Sequence, residues 1–349
     1  MKYKIKRGYK NKNVAIFDEK GNQITQWYDW IGEDGLVKEE SIYYIAQRNG
    51  KFAIFDVYGN QITPEWFDGI SPYGLVKGES EFYKVKKNGK YAIFDKNGKQ
   101  ISGWYDEIKI GGLVNGKSNY YIAKKNGGYA IFDINGKQRS ELFDKIEMYG
   151  LARGKSNYYL AEKNGKKAIF NVDGSMISPQ WFNEIYPEGL VKGQSKYYIA
   201  KKDGKYAIFD ENGKQISELF DWIYPFGLVR GESDYYIASK DGKEAIFDIN
   251  RNIITKWYNV IFPEGLVKGQ CDYYIACNTK NCAVYYKNGQ KVSENFLRDY
   301  IEEAEEIIFN DNIGMVEIKN YGRTVRTIEF NPVYPFKEEI IDYTKLLNI

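Results

Sequence analysis

The sequence predicts an all-β repeat protein of about eight units of ~38 residues, each a small 3–4 stranded antiparallel sheet. The units are expected to stack as an open superhelix or solenoid, with a closed β-propeller-like ring as the alternative, and to end in a C-terminal helical cap. Three observations point there. Ala-Ile-Phe-Asp or a near copy begins at Ala15, Ala53, Ala92, Ala130, Ala168, Ala207 and Ala245, and a worn copy, "AVYY", begins at Ala283. A second landmark, Gly-Leu, keeps step at Gly35, Gly74, Gly112, Gly150, Gly189, Gly227 and Gly265. The chain also carries 32 Tyr, 19 Phe and 7 Trp, types that favour strands.

The elements of one unit follow in order. "KYYIAKK" (196–202) reads as a strand, Asp203-Gly204 as a tight turn, and "KYAIFD" (205–210) as the return strand. Alternating apolar residues around Asx-Gly are the strongest short-range hairpin signal. "ENG" (211–213) is a three-residue turn whose glycine suits positive φ. "KQIS" (214–217) is expected as a short strand, and "GLVRG" (227–231) as a fourth one. The two longer intervals between copies each contain an added proline, Pro64 and Pro179. Proline cannot donate to a ladder, so that point belongs to a connection. The Ala-Ile-Phe strand is apolar on both alternating faces, so both must be covered. The small alanine suggests close approach of neighbouring sheets. One such unit buries too little to fold alone, and stacked units cover each other.

These landmarks divide the chain into tandem β repeats over 1–292, a degenerate last repeat with a helical insertion over 293–334, and an amphipathic helical cap over 335–349. The insertion is read from apolar residues at helical spacing from Phe296 to Ile308, with Ser293 as the N-cap. "GMVEIKN" and "RTVRTIEF" after it read as strands.

Composition narrows the function classes. There are 50 Lys and Arg against 47 Asp and Glu, which makes no electrostatic case for nucleic acid. Histidine is absent, which removes the commonest general base and the His-dependent triads and metal sites. The basic start lacks an apolar run of signal-peptide length, and no window approaches a membrane span. The expectation is therefore a cytoplasmic protein. Cys271, Cys277 and Cys282 are expected as free thiols.

The order Phe-Asp-x-Ile, Gly-Leu-Val, Gly-Lys-Tyr-Ala-Ile-Phe-Asp-x-x-Gly-x-x-Ile resembles the bacterial WG repeat family over roughly residues 12–292. It departs from that family in carrying Tyr-Ala where the family has Trp-Gly, as at Tyr91-Ala92, Tyr129-Ala130 and Tyr206-Ala207, and in a slightly longer unit. The resemblance implies a β-repeat scaffold that binds partners, and no catalytic residue carries over. "NGKYAIFDENGKQI" is also similar, more weakly, to choline-binding and toxin cell-wall-binding repeats, whose units are shorter.

Among candidate sites, the acid closing each Ala-Ile-Phe-Asp could hint at a calcium loop. It lacks the downstream bidentate Glu, so it reads instead as a turn acid bonding its own backbone. The "IEEAEE" run (301–306) reads as a solvated face. The repeated surface is the one pattern that points to binding. It comprises Tyr44, Tyr121, Tyr159, Tyr198, Tyr236 and Tyr274 with Lys38, Lys77, Arg153, Lys192, Arg230 and Lys268. If these faced one way they would form a ladder of rings and cations. The opposing reading buries the rings between layers and pairs the cations with nearby acids. No catalytic, cofactor or metal residue is expected, and no cofactor. The function read from the sequence is a non-enzymatic binding scaffold, an adaptor or inhibitor engaging another protein. The alternatives are a carbohydrate or cell-envelope binding module, and a single-stranded nucleic-acid binder.

Overall fold

The computed structural model describes residues 2–8, 13–302 and 304–333. They fall into two compact units, one holding residues up to 202 with 209–215, the other 203–208 and those from 216 onward. The cap expected over 335–349 lies outside the described residues. Nine small sheets recur among the described residues.

In the first unit the hairpin of Tyr43–Arg48 and Lys51–Asp56 shows how each sheet is specified. Tyr44 faces Phe55 and Ala46 faces Ala53 across the ladder. Asn49 and Gly50 turn it with φ of 52° and 74°, the conformation that Asx-Gly supports in a two-residue hairpin. Asp29 steadies the turn by accepting the Asn49 amide at 2.7 Å, and Asp68 and Asp144 do the same for Asn88 and Asn164.

The third strand is only two residues long. Trp30–Ile31 pairs with Tyr43–Arg48, Ile31 opposite Ala46. It precedes the Gly-Leu landmark of one copy and joins the hairpin of the next. A sheet is therefore shared by two consecutive copies. The expected fourth strand is a correction: Gly-Leu-Val is a turn, and Gly150–Arg153 is a short 3-10 helix. Its glycine sets φ to +63°, and a Cβ there would lie 2.2 Å from the Tyr158 carbonyl oxygen. "KQIS"-type segments give single bridges such as Phe94–Gln100. Their serine instead accepts the buried Ile93 amide, Ser102 Oγ at 2.8 Å.

Neighbouring sheets stack face to face. Ile45 and Ile54 of one sheet pack with Tyr83, Ala92 and Phe94 of the next, and Ile93 with Tyr121, Ala123 and Ala130 after that. The alanine pairs are where large aliphatics of the adjacent sheet enter. In the first unit a serine rung ties consecutive copies: Ser41 donates to the Val76 carbonyl, Ser80 to Val114 and Ser156 to Val191, at 2.5 to 2.7 Å.

The second unit repeats this plan in Trp222–Ile223, Tyr235–Lys240 and Lys243–Asp248. Its next sheet has four strands, Val260–Phe262, Tyr273–Cys277, Asn281–Tyr286 and Phe296–Leu297. The helical insertion is largely overturned: among the described residues of 293–333 only Asp299–Glu302 is helical. Ser293 is no cap, since its Oγ accepts the Val284 amide at 2.9 Å, as its counterparts do in earlier copies. Phe296 pairs with Cys282, so the eighth copy keeps its register further than its sequence suggests. Glu306–Asn310, Met315–Asn320 and Arg323–Glu329 form the last sheet. Tyr321 and Gly322, φ 50° and 70°, turn it like the Asx-Gly pairs.

The expectation of three free thiols is corrected too. Cys277 and Cys282 form a disulfide across their hairpin, where they stand directly opposite with Cα atoms 4.0 Å apart. This hairpin turns through Thr279-Lys280 where other copies have Asx-Gly, and the covalent link crosses the ladder two residues away from that turn on each strand. Cys271 is free. No helix of the described residues is long and apolar enough to cross a membrane.

Candidate functional site

The structure dissolves the expected tyrosine face. Tyr44, Tyr121, Tyr159, Tyr198, Tyr236 and Tyr274 are all buried. Each stacks on the aromatic ring opposite in its hairpin, as in Tyr159–Phe170 and Tyr198–Phe209, both 5.5 Å between centroids. Consecutive tyrosines do point to opposite faces, but stacking covers both faces. A third ring from the preceding copy completes each layer: Phe143 lies 5.0 Å from Phe170, and Phe182 5.1 Å from Phe209. Burial lifts the Tyr83 and Tyr198 hydroxyls far above their ordinary range, and neither makes a hydrogen bond.

The cations are placed differently but are mostly occupied. They form a staircase with the residue just before each Gly-Leu. Lys38 pairs with Asp34 at 2.8 Å, Lys192 with Glu188 at 2.7 Å and Lys268 with Glu264 at 2.6 Å. Three of the cations also reach the step before. Lys77 lies 3.9 Å from Asp34, Lys192 lies over the Tyr149 ring, and Lys268 over the Phe226 ring. Arg230 lies over Phe226 as well, at 4.6 Å. The acids just before the rung serines are used otherwise, Glu40 and Glu79 accepting the Gly35 and Gly74 amides. Arg153 is the exception: unlike Arg230, which has a ring contact but no ion pair, it makes neither among the described residues. Its staircase partners are Gly111 and Tyr149, neither an acid.

The acids closing Ala-Ile-Phe-Asp serve their own turns. Asp133 Oδ1 accepts the Asn135 and Lys137 amides at 2.9 Å, and Asp210 and Asp248 are bonded similarly. Among the described residues no group of three His, Cys, Asp or Glu is arranged to hold a metal.

Sequence reasoning missed a different line of residues, visible only once the cross-strand register is known. On each sheet three positions stand side by side, one per strand. They hold Trp30, Gln47 and Phe52; Gly69, Lys86 and Tyr91; Glu107, Lys124 and Tyr129; then Lys145, Glu162 and Lys167. In the second unit they hold Trp222, Ser239 and Glu244, then Val260, Cys277 and Cys282. Copies that agree at alanine, isoleucine, glycine and serine disagree here in size and in charge. The residue after Ala-Ile-Phe-Asp varies as well, but it lies in a turn. The register triads instead interact internally: Trp30 meets Phe52 at 6.0 Å, and the Tyr129 hydroxyl donates to Glu107 at 2.7 Å. Trp30 is 45 % exposed. Glu244 is buried and accepts from the Tyr224 hydroxyl and the Ile261 amide.

One triad line opens into a cleft of about 660 Å³ between the sheet of Gly128–Asp133 and that of Lys166–Asn171. Lys109, Lys124, Tyr129, Lys145, Tyr149 and Arg153 line it, with Asp144, Glu147 and Glu162. The Tyr129 hydroxyl and then Lys109 hold the Glu107 carboxyl below its usual range, and Glu107 in turn raises Tyr129. Lys109 and Lys124 both lie over the Tyr129 ring, at 5.2 and 5.4 Å. Lys145 is raised by Glu147, 2.6 Å away. A second cavity, of about 380 Å³, includes Cys271, Asp272, Asp311 and Val333. Cys271 stands where other copies have the rung serine, and burial pushes its thiol up to about 12, away from thiolate chemistry.

No family model matches the chain, and no curated protein matches it. Solved structures similar to it include a eukaryotic initiation factor, at 14 % identity and TM-score 0.33 over 82 % of this chain and 83 % of that one. Kluyveromyces lactis Hsv2 is similar at 11 % identity and TM-score 0.30 over 81 % and 95 %. The β-propeller domain of Myceliophteria thermophila Cps50 (Swd1) is similar at 11 % identity and TM-score 0.25 over 70 % and 93 %. Likeness at this level establishes neither a shared overall arrangement nor a shared activity.

Proposed function

We propose that the chain is a non-enzymatic binding scaffold that engages another protein through its register triads. One observation carries this reading: near-identical copies differ in side-chain chemistry at equivalent register positions, and in the first unit these positions open into a cleft between sheets. A stack that only set distance would have no use for unlike residues at equivalent places that touch each other. Aromatic and cationic side chains at such positions suit protein recognition. The large titration shifts fall on tyrosines held in ring stacks and on a buried thiol, groups driven away from acid–base work near neutral pH. The resemblance to the WG repeat family agrees with a scaffold, and a cytoplasmic setting is part of the same proposal.

The test is a tagged pull-down from lysate of the source cell with three baits. The first is the natural chain. The second carries Trp30→Ala, Lys124→Ala, Lys145→Ala and Trp222→Ala. The third carries Lys38→Ala, Lys77→Ala and Lys192→Ala on the staircase. We expect a protein recovered in near-stoichiometric amount by the first and third baits and lost from the second. Equal recovery by all three, or no recovered protein, would refute the proposal.

A further inference from the structure

We infer that the cleft over Tyr129 and Tyr149 receives an acidic segment of the protein partner, with Lys124 and Arg153 supplying the charge. The inference deepens the scaffold reading and rests on it. It starts from a break in the staircase. Elsewhere the cation four residues after the pre-glycine position meets an acid or ring of its own copy, and Lys77, Lys192 and Lys268 also meet one of the copy before. At Arg153 the preceding step is Gly111, whose missing side chain is covered by Met148; a Cβ on Gly111 would fall 2.2 Å from the Met148 methyl. The same step has Asn115 where its neighbours have Lys77 and Arg153. The pattern that neutralises the other cations is therefore interrupted on both sides, and Arg153 is left exposed on the cleft wall.

The acids around the cleft are already engaged. Glu107 accepts from Tyr129 and pairs with Lys109 at 3.0 Å. Glu147 pairs with Lys145 at 2.6 Å, and Asp144 accepts the Asn164 amide at 2.7 Å. Glu162 lies in register between Lys145 and Lys167, a favourable cross-strand arrangement of opposite charges. Lys124 faces Glu107 across the ladder and lies over the Tyr129 ring, but Glu107 is already paired with Lys109 and bonded by Tyr129, and Lys124 makes no ion pair among the described residues. Arg153 makes none either, and the Tyr129 and Tyr149 rings line the same cleft. A chain carrying Glu or Asp side chains satisfies both cations, and its aliphatic stems can lie against the rings. Two separated donors flanking a cleft of this size suit a short extended peptide.

The probe is a fluorescein-labelled hexaglutamate peptide, read by anisotropy at low and physiological salt, with hexalysine and a twelve-nucleotide oligothymidylate as comparisons. The expected result is saturable binding of hexaglutamate that weakens with salt. K124E/R153E should weaken it by about tenfold or more, K124Q/R153Q by less, and K38E by little. Both target side chains reach solvent, and an unchanged urea midpoint in the variants confirms an intact fold. Absence of saturable binding, binding unaffected by K124E/R153E, or preference for oligothymidylate would each overturn the inference. Repeating the pull-down with K124E/R153E separates it from the parent proposal: a partner still captured there but lost from the four-substitution bait leaves the scaffold standing and removes this cleft.

Discussion

Replacing the rung serine Ser156 with alanine should cost far more than its size suggests. Its hydroxyl donates to the Val191 carbonyl, 35 residues away, at 2.7 Å and accepts the Tyr158 amide at 3.2 Å. The net loss of one hydrogen bond is about 1 kcal/mol, and stranding a partly buried backbone group costs about 1–3 kcal/mol. A working figure for Ser156→Ala is therefore about 2 kcal/mol. Cys271→Ala is the matched comparison. Cys271 occupies the equivalent position, but its sulfur only approaches the Tyr273 carbonyl, at 3.8 Å, with no rung to a following copy. That change should cost about 1 kcal/mol or less, the value of a small apolar group at a cavity wall. The assay is urea unfolding followed by circular dichroism, with amide exchange at Tyr158 and Leu190 reporting the local effect. A loss below about 0.5 kcal/mol for Ser156→Ala, or equal losses for the two variants, would show that stacking of apolar faces alone holds consecutive copies together.

Other expectations follow from the buried rings and thiol. Tyr198→Phe removes a buried hydroxyl that makes no hydrogen bond, so it should be neutral or stabilising by up to about 1 kcal/mol, whereas Tyr198→Ser should lose about 3–5 kcal/mol; urea midpoints distinguish them. The raised tyrosines are neutral when folded and ionise near 10 when unfolded. Their contribution to stability is complete below pH about 10 and declines as pH rises above it. A fraction of the absorbance rise at 295 nm should therefore appear only together with unfolding, and complete tyrosine ionisation with circular dichroism unchanged would contradict it. Cys271, with its thiol near 12, should resist iodoacetamide at pH 8 in the folded chain and react after denaturation, as counted by mass spectrometry.

The parts of the fold legible in the sequence were those with local causes. Asx-Gly sets a positive-φ turn wherever it falls, so the hairpins were readable, and an all-apolar Ala-Ile-Phe strand announced cover on both faces. The two-residue strand at Trp30–Ile31 has no periodicity to read, so its transfer to the following hairpin was hidden. The window from Phe296 to Ile308 has helical spacing, yet Phe296, Ile301 and Ile307 reach one core from a strand, a short helix and another strand. The tyrosine ladder failed because alternation gives direction and not exposure. The register triads were present in the sequence all along, as columns where the copies differ, but only the pairing of Glu107 with Lys124 and of Lys124 with Tyr129 shows that those columns are neighbours.

Sharing each sheet between two copies has a mechanical consequence. Ile31 and Tyr43 belong to successive copies yet sit in one sheet, so the boundary between sequence repeats is not a boundary between folded layers. To detach one copy, force applied along the chain must open two sheets, the one that holds its hairpin and the one that borrows its short strand. The links of the chain are interlocked like the laths of a woven mat, and its resistance to pulling should be set by pairs of layers giving way together.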